Sequence, residues 1–443
     1  MDGLVEHTSG TGAAAPDEGP VRAELLPMSA RVGPTGRLEV GGVDLVELAE
    51  RFGTPLFVYD EQHLRARCRE AVAAWGDGVA YATKAFLCRA MASLAVEEGM
   101  QLDVSTGGEL HVALSAGVPA TRLVLHGNNK SDDELARALD VGVGRIVVDS
   151  FDEIDRLARL ARPAGGGGRT AVMIRVTPGV EAHTHEFVRT GQEDSKFGFG
   201  LASGAAAEGV ARLRGLPGVE LVGVHAHIGS QVFRVESFAE EVDVLAAFFA
   251  PLGLSELCVG GGLGVPYVSG EYAPSLASWA ATVHEACRRS GVPEGTRITA
   301  EPGRSVVATA GITLYRIGTI KELPGVRTYV AVDGGMSDNP RPVLYGSGYE
   351  TFLPLSADAP RPRAVTVVGK HCESGDVVVA DARLPAAAGV GDVLATPVTG
   401  AYGYSMASNY NKVPRPAVVF VGDGDARVVV RRETDDDLLR LDT

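Results

Sequence analysis

The sequence predicts a (β/α)8 barrel of TIM-like architecture joined to a second, mainly antiparallel β domain built from both chain ends. Three observations carry this. Eight short apolar, β-branched runs recur with helix-like stretches between them, and the first four start about 22 residues apart, the length of one strand–helix unit. After about residue 305 the pattern gives way to β-rich segments separated by turn residues. Alternating strands and helices imply a parallel sheet, and eight such units close into a barrel.

In chain order, the opening "MDGLVEHTSGTGAAAPDEGP" is small, polar and acidic. It lacks the basic start and apolar run of a secretory signal, so residues 1–30 read as a disordered tail. Residues 31–60, with "RLEVGG" and "LFVYD", are expected to pair into the β domain. The barrel is placed at 61–305, on the runs "VAYATK" (79–84), "QLDVST" (101–106), "LVLHGN" (123–128), "RIVVDS" (145–150), "AVMIRV" (171–176), "LVGVHAHIG" (221–229), "ELCVGGG" (256–262) and "RITAEPG" (297–303). The segments between them suit helices: "SDDELARALDVG" opens on a Ser cap, carries acids in its first turn and ends at Gly. "GGGG" (165–168) reads as a flexible linker. A longer insert before the sixth strand, containing "HTHEFVRTGQEDSKFGFG", reads as a functional loop. Residues 306–443, including "SVVATAGITLYRIGTIKEL" and "AVVFVGDGDARVVVRRE", form the C-terminal β domain.

Bulk properties exclude several function classes. Over 443 residues the formal charge is −15, which argues against a nucleic-acid or anionic-membrane surface. A small anionic ligand in a local basic pocket is still compatible with it. No run approaches the 18 apolar residues of a membrane span. The five cysteines (68, 88, 258, 287, 372) show no CxxC pair, which fits reduced thiols in a cytoplasmic protein and disfavours a disulfide.

A polar or glycine residue stands at or near the C-terminal end of each run: Lys84, Asp103, His126 with Asn128, Asp149, Arg175, His227, Gly260 to Gly262, and Glu301. In a barrel those ends converge on one face, where active sites form. "GGGLG" (260–264) follows the seventh strand, where barrels often bind phosphate, and successive glycines let backbone N–H groups approach an anion. Lys84 lies in the apolar context "VAYATKAF". It is either a solvated strand end or an amine whose pKa falls on desolvation, suited to a Schiff base. An amine and a phosphate site on one rim suggest pyridoxal 5'-phosphate, with Glu301 of "EPGR" as the acid near its ring nitrogen. In "HAH" (225–227) two alternatives stand: a metal pair on one strand face, or stacking of His227 on a planar cofactor with His225 structural. The second is preferred, and no metal is assigned. Arg341 and Tyr345 of "RPVLY" lie one turn apart if helical, as a carboxylate clamp or a solvated pair. Tyr402 in "GAYGYSMASNYN" is a cofactor contact or loop packing. Cys372 of "HCESGD" is a core residue, a metal ligand or a group that moves protons.

Together these blocks closely resemble the diaminopimelate decarboxylase family, from about residue 50 to the C terminus. "YATKAF", "LDVSTGGEL", "HGNNKS", "TGQEDSKFG", "HAHIGSQ", "GGGLG", "EPGR", "VDGGMSDNPRPVLYG", "CESGD" and "GAYGYSMASNYN" occur in the family's order. The resemblance implies an alanine-racemase-like barrel with a β domain and the cofactor pyridoxal 5'-phosphate. It also implies decarboxylation of meso-2,6-diaminopimelate to L-lysine and carbon dioxide, the last step of lysine biosynthesis. By it, Lys84 holds the cofactor through its amine, Glu301 keeps the pyridine nitrogen protonated, and His227 stacks on the ring. Asp103 joins the cofactor side, while Ser230, Gly260, Gly261, Gly262, Gly303, Arg304 and Tyr402 surround the phosphate. Arg304, Arg341, Tyr345 and Tyr402 bind substrate.

The resemblance also implies a homodimer in which Cys372 and Glu373 complete the partner's active site. There Cys372 would protonate the carbon left by decarboxylation, a task suited to a thiol with a pKa of about 8.5, and Glu373 would pair with the substrate's distal ammonium. The alternatives are a sister decarboxylase for ornithine, arginine or carboxynorspermidine, which typically has Asp after the cysteine, a racemase, and a non-catalytic binding homologue. One departure is Phe86, where many relatives have Asn after "YAxKA".

Overall fold

The structure, a computed structural model, describes residues 19–161, 169–179 and 195–443. The "GGGG" segment and most of the long insert lie outside the described residues, as do the first 18.

The eight runs form eight parallel strands: Ala80–Ala82, Gln101–Val104, Leu123–Leu125, Arg145–Val148, Thr170–Thr177, Val219–His225, Glu256–Cys258 and Arg297–Thr299. Each is hydrogen-bonded to the next in parallel register. The first and last meet as well. Ala80 N–H donates to Ala300 O at 3.0 Å and Ala82 N–H to Pro302 O at 3.2 Å, so the sheet closes.

Strand periodicity of two explains the barrel's layering. Leu123 and Leu125, Ile146 and Val148, and Val172, Ile174 and Val176 face outward into the large core beneath the helices. The alternate residues Val124, Val147, Met173 and Cys258 form a separate apolar plug inside the barrel. Two residues further along the same inward-facing rows stand His126, Asp149 and Arg175. Asp103, His225 and Glu301 join them at the strands' C-terminal ends. Parity alone therefore places polar side chains above a dry plug, where barrel chemistry occurs.

Helix boundaries follow local capping. In Asp132–Val141 the Ser131 hydroxyl accepts from Glu134 N–H while Glu134 reaches back to Ser131 N–H, and the helix stops at Gly142 in a left-handed conformation (φ 71°).

The β domain is an eight-stranded sheet organised on the long strand Gly311–Leu323. It pairs antiparallel with Leu56–Asp60, Val393–Pro397 and Arg327–Val332. Two other pairings are parallel, Leu56–Asp60 with Ala417–Gly422 and Arg327–Val332 with Arg363–Val368, so the sheet is mixed. "LFVYD" thus brings the N-terminal part into the domain.

Two expectations are corrected. "RLEVGG" does not join that sheet: Leu38–Val40 pairs with Arg31–Val32 and Val43–Asp44 in a small sheet of its own. Residues 19–30, read as part of a disordered tail, are packed. Val21 and Leu25 are buried, and Met28 and Ser29 N–H groups donate to His63 and Asp60. Two apolar side chains with anchored backbone outweigh the polar composition around them.

The domains meet beside the barrel rim. Tyr402 N–H of the β domain donates to Ala85 O of the barrel at 2.8 Å, and within the β domain Tyr59 O–H donates to Gly400 O at 2.8 Å. A Cβ at Gly400 would stand 1.9 Å from Val307 O, so only glycine permits this approach. Phe86 is fully buried and stacks on Tyr59 with centroids 4.3 Å apart. The aromatic departure from many relatives fills the seam between the domains.

Candidate active site

The strands' C-terminal ends surround a cavity of about 380 Å³ lined by Lys84, Asp103, His126, Arg175, His225, His227, Ser230, Gly261, Gly262, Glu301, Gly303, Arg304 and Tyr402, among others. These residues come from strands one, two, three, five, six, seven and eight and from the β domain, and the closed barrel brings them together.

Lys84 does not end the first strand. The strand stops at Ala82, and Lys84 sits in the following turn of 3-10 helix, Thr83–Ala85. Its side chain is exposed to the cavity, not desolvated within the apolar run. Thr83 O–H anchors the turn on Asp103 O at 2.7 Å, and Tyr402 N–H holds it through Ala85 O.

Glu301 lies between two imidazoles. Its Oε1 is 2.9 Å from His126 Nε2 and its Oε2 is 2.9 Å from His225 Nε2. Burial alone would raise this carboxyl group, but the two histidines together hold it well below the usual carboxylate range. Burial acts on His126 in the opposite sense, and Asp103 and Glu301 overcome it to raise that imidazole. Asp103, 3.7 Å from His126, is pushed up to about 6, chiefly by burial. His225, first read as structural, is part of this assembly. Its pairing could not be found from "HAH", because it depends on which residue faces it across the barrel. The donor atoms of His126, His225 and Glu301 lie within 4.8 Å of one another, a set with metal-ligand chemistry as well as hydrogen-bonding capacity.

His227 lies two residues beyond its strand's end and does not share a strand face with His225. Gly261 N–H donates to His227 Nδ1 at 3.1 Å, which leaves Nδ1 unprotonated. Burial, reinforced by Lys84, lowers the imidazole well below its ordinary pKa, so the ring is neutral.

The glycine run is a close-fitting cradle. Gly260 and Gly262 adopt φ of 63° and 119°. Added Cβ atoms at Gly261 and Gly262 would stand 2.3 Å from Glu301 O and 2.2 Å from Gly229 O. Gly261, Gly262 and Gly303 line the cavity; Gly260 supports them from behind and accepts at its carbonyl from Glu301 N–H at 2.7 Å.

Arg304 enters from the short helix Arg304–Val307. Its Nη1 donates to Tyr267 O–H at 2.6 Å and its Nη2 to Ser230 Oγ at 2.9 Å, and its guanidinium lies 4.7 Å from the Tyr402 ring centroid. Arg341 and Tyr345 do open and close a short helix, Arg341–Tyr345. Arg341 is buried and is not among the cavity's lining residues; it lies over the Tyr267 ring at 4.0 Å, with Nη1 donating to the Tyr349 hydroxyl at 2.6 Å. Among the described residues neither arginine has a carboxylate partner. Tyr267 and Tyr349 lie in loops whose residue types carried no sequence signal, and were missed.

Tyr345, Cys372 and Glu373 are not among the cavity's lining residues. Cys372 and Glu373 are exposed on the turn between strands Arg363–Val368 and Val377–Leu384, and Cys372 is the one exposed cysteine of the five. The turn is firmly held. Asp376 accepts from Met336 N–H (2.6 Å), His371 N–H (2.9 Å) and the His371 ring (2.8 Å), while Cys372 N–H donates to Asn411 Oδ1 at 2.9 Å.

Comparison with known proteins agrees with this geometry. Residues 61–308 match the model of the pyridoxal-dependent decarboxylases, pyridoxal binding domain. Diaminopimelate decarboxylases from Actinosynnema pretiosum subsp. auranticum and Bacillus subtilis are 50% and 46% identical, over 94% of this chain and 94% and 97% of theirs. The solved structure of diaminopimelate decarboxylase from M. jannaschii in complex with L-lysine superposes with a TM-score of 0.87 at 32% identity, covering 94% of this chain and 98% of that one. A lysine/ornithine decarboxylase from Vibrio vulnificus, 22% identical with a TM-score of 0.73 over 86% of this chain and 98% of that one, shares the fold. With half its residues in common with a full-length relative and the barrel matched throughout, this chain belongs to the diaminopimelate decarboxylase family of pyridoxal-dependent enzymes.

Proposed function

We infer that this chain decarboxylates meso-2,6-diaminopimelate at its D-configured carbon, giving L-lysine and carbon dioxide, with pyridoxal 5'-phosphate as cofactor. The observation that carries this reading is one cavity holding an accessible amine (Lys84), a carboxylate kept charged by two imidazoles (Glu301) and a glycine cradle with no room for Cβ atoms. These features fit the cofactor's aldehyde, ring nitrogen and phosphate respectively. When bound, pyridoxal phosphate supplies the electron sink for the pair left as carbon dioxide departs.

The chain's own groups divide the remaining work. Lys84 would hold the cofactor covalently through its amine. The charged Glu301 holds a proton on the pyridine nitrogen, and His126 and His225 maintain that charge against burial. Neutral His227, fixed by Gly261 N–H, gives the ring a flat neighbour without adding a competing cation. Ser230, Gly261, Gly262, Gly303 and Tyr402 would hold the phosphate, with Gly260 supporting them and Asp103 on the ring side. Arg304 and Arg341, two cations without carboxylate partners among the described residues, suit a substrate that carries a second carboxylate, with Tyr345 completing that end.

The exposed Cys372 and Glu373 act in a second copy of the chain. On this reading the enzyme is a cytoplasmic homodimer in which the cysteine thiol delivers a proton to the carbon that has lost carbon dioxide, and Glu373 receives the distal ammonium. Exposure of both residues, on a turn held by Asp376 and Asn411, supports this arrangement.

The test is product identification after incubating the cofactor-loaded protein separately with meso-diaminopimelate, L-ornithine and L-arginine. Lysine and carbon dioxide from the first alone are expected. Release from ornithine or arginine would assign the chain to the sister decarboxylases.

A further inference from the structure

Two tyrosines, Tyr267 and Tyr349, lie against the two arginines. Tyr267 and Tyr349 are both buried, 4% and 3% exposed, with ring centroids 5.2 Å apart at 80°. Tyr267 serves both guanidinium groups at once: its hydroxyl accepts from Arg304 at 2.6 Å, and its ring face carries Arg341 at 4.0 Å. The Tyr349 hydroxyl accepts from Arg341 at 2.6 Å, and its ring lies 5.5 Å from the same guanidinium.

Two buried guanidinium groups near each other repel, and a carboxylate between them would be the usual remedy. The chain supplies none among its described residues and uses neutral phenols instead. Hydroxyl lone pairs and ring faces orient the two cations without cancelling their charge. Burial pushes the Tyr349 phenol up, so it keeps its proton and does not become the missing anion.

The donor count points the same way. Guanidinium groups only donate, so each phenol oxygen is spent as an acceptor while its own proton finds no acceptor among the described residues. Arg304 Nε is also buried without a partner. An excess of buried donors with two uncompensated charges is a receptor awaiting an anion rich in acceptors, and a carboxylate is the smallest group that meets both needs.

We propose that Tyr267 and Tyr349 are positioning residues that hold Arg304 and Arg341 as a single two-cation receptor for the substrate's distal carboxylate, and so set the preference for ligands that carry one. This rests on the function proposed above and adds the residues that give it specificity. The tyrosines act through the arginines and touch no reacting atom.

The experiment compares Tyr267→Phe and Tyr349→Phe with the unaltered holoenzyme. Calorimetry measures binding of L-lysine, which keeps the distal carboxylate, and of cadaverine, which lacks it. Each variant should bind L-lysine about tenfold more weakly, the effect of losing one charge-assisted hydrogen bond. Cadaverine binding should stay within about twofold, and the cofactor's absorbance should not change. The KM for meso-diaminopimelate should rise by the same factor as the lysine effect, with kcat within about twofold. A merely structural role would weaken both ligands alike. That result, or unaltered lysine binding in both variants, overturns the proposal. Carbon dioxide release by the unaltered enzyme is measured in parallel. Its absence would defeat the proposed function, while the ligand comparison would still decide the role of the tyrosines.

Discussion

Glu301 Oε2 lies 2.9 Å from His225 Nε2, while the other carboxylate oxygen lies at the same distance from His126. The strands bearing the three residues are the third, sixth and eighth, so the contact exists only because the barrel closes. It keeps a buried carboxylate ionised, against the desolvation that would otherwise raise its pKa.

Replacing that carboxylate should disable the chemistry without emptying the site. Glu301→Gln keeps the shape but not the charge. We expect kcat/KM to fall by at least about a hundredfold, with pyridoxal phosphate still attached to Lys84. Steady-state kinetics together with the cofactor's absorbance check this. Near-normal turnover would show that the charge is not used.

The glycine cradle makes a steric prediction. At Gly262 (φ 119°) a Cβ would stand 2.2 Å from Gly229 O, a backbone atom that cannot swing aside as the end of a flexible side chain could. Gly262→Ala should weaken pyridoxal phosphate binding by more than about tenfold, read by titrating cofactor into the protein freed of it. Gly270→Ala, at a turn where a Cβ meets nothing within 4 Å, is the control for local strain.

Cys372 gives a prediction about assembly. Cys372→Ala alone and Lys84→Ala alone should each be nearly inactive. Mixed and allowed to exchange subunits, they should recover about a quarter of the unaltered activity, because half the dimers are mixed and each of those has one intact site. No recovery after demonstrated subunit exchange would mean that the cysteine serves its own chain.

The loop behind Cys372 should show acid-dependent stability. Glu433 accepts from Asn409 Nδ2 (2.6 Å), Arg415 N–H (2.8 Å) and Arg415 Nε (2.7 Å). Burial would raise its pKa, but these hydrogen bonds bring it down to about 2. The unfolded value is about 4.3. A folded pKa below the unfolded one gives stability that is present above the unfolded value and lost as pH falls toward the folded value. Glu433→Gln should therefore reduce stability at neutral pH, by on the order of 1 kcal/mol because Arg415 is partly solvent-exposed, and so lower Tm. The difference should vanish between pH about 4.3 and about 2, as thermal melts across that range would show.

Much of this architecture was legible in the sequence because the barrel's signals are local. Strand runs about 22 residues apart fixed the repeat, Ser131 and Gly142 marked one helix's ends, and a place at or near the C-terminal ends of the runs put Asp103, Arg175 and Glu301 on one face of the barrel. What stayed hidden depends on distant pairing. His225 carried no mark of its contact with Glu301, since neither residue knows its neighbour until the last strand meets the first. The strand Leu38–Val40 is too short to specify a partner, and it formed a sheet of its own. Tyr267 and Tyr349 sit in loops, where an aromatic residue has no periodicity to give it away. Cys372, by contrast, was conspicuous in "CESGD", and its exposed place outside the cavity lining of its own chain is compatible with the expectation that it serves a partner.

The most direct test of the central claim is a side-by-side measurement of L-lysine formed from meso-diaminopimelate by the unaltered holoenzyme and by Lys84→Ala. Equal amounts of lysine and carbon dioxide are expected from the first, and a loss of at least about a thousandfold in the second. No lysine from the unaltered enzyme, or undiminished formation without Lys84, would contradict that claim.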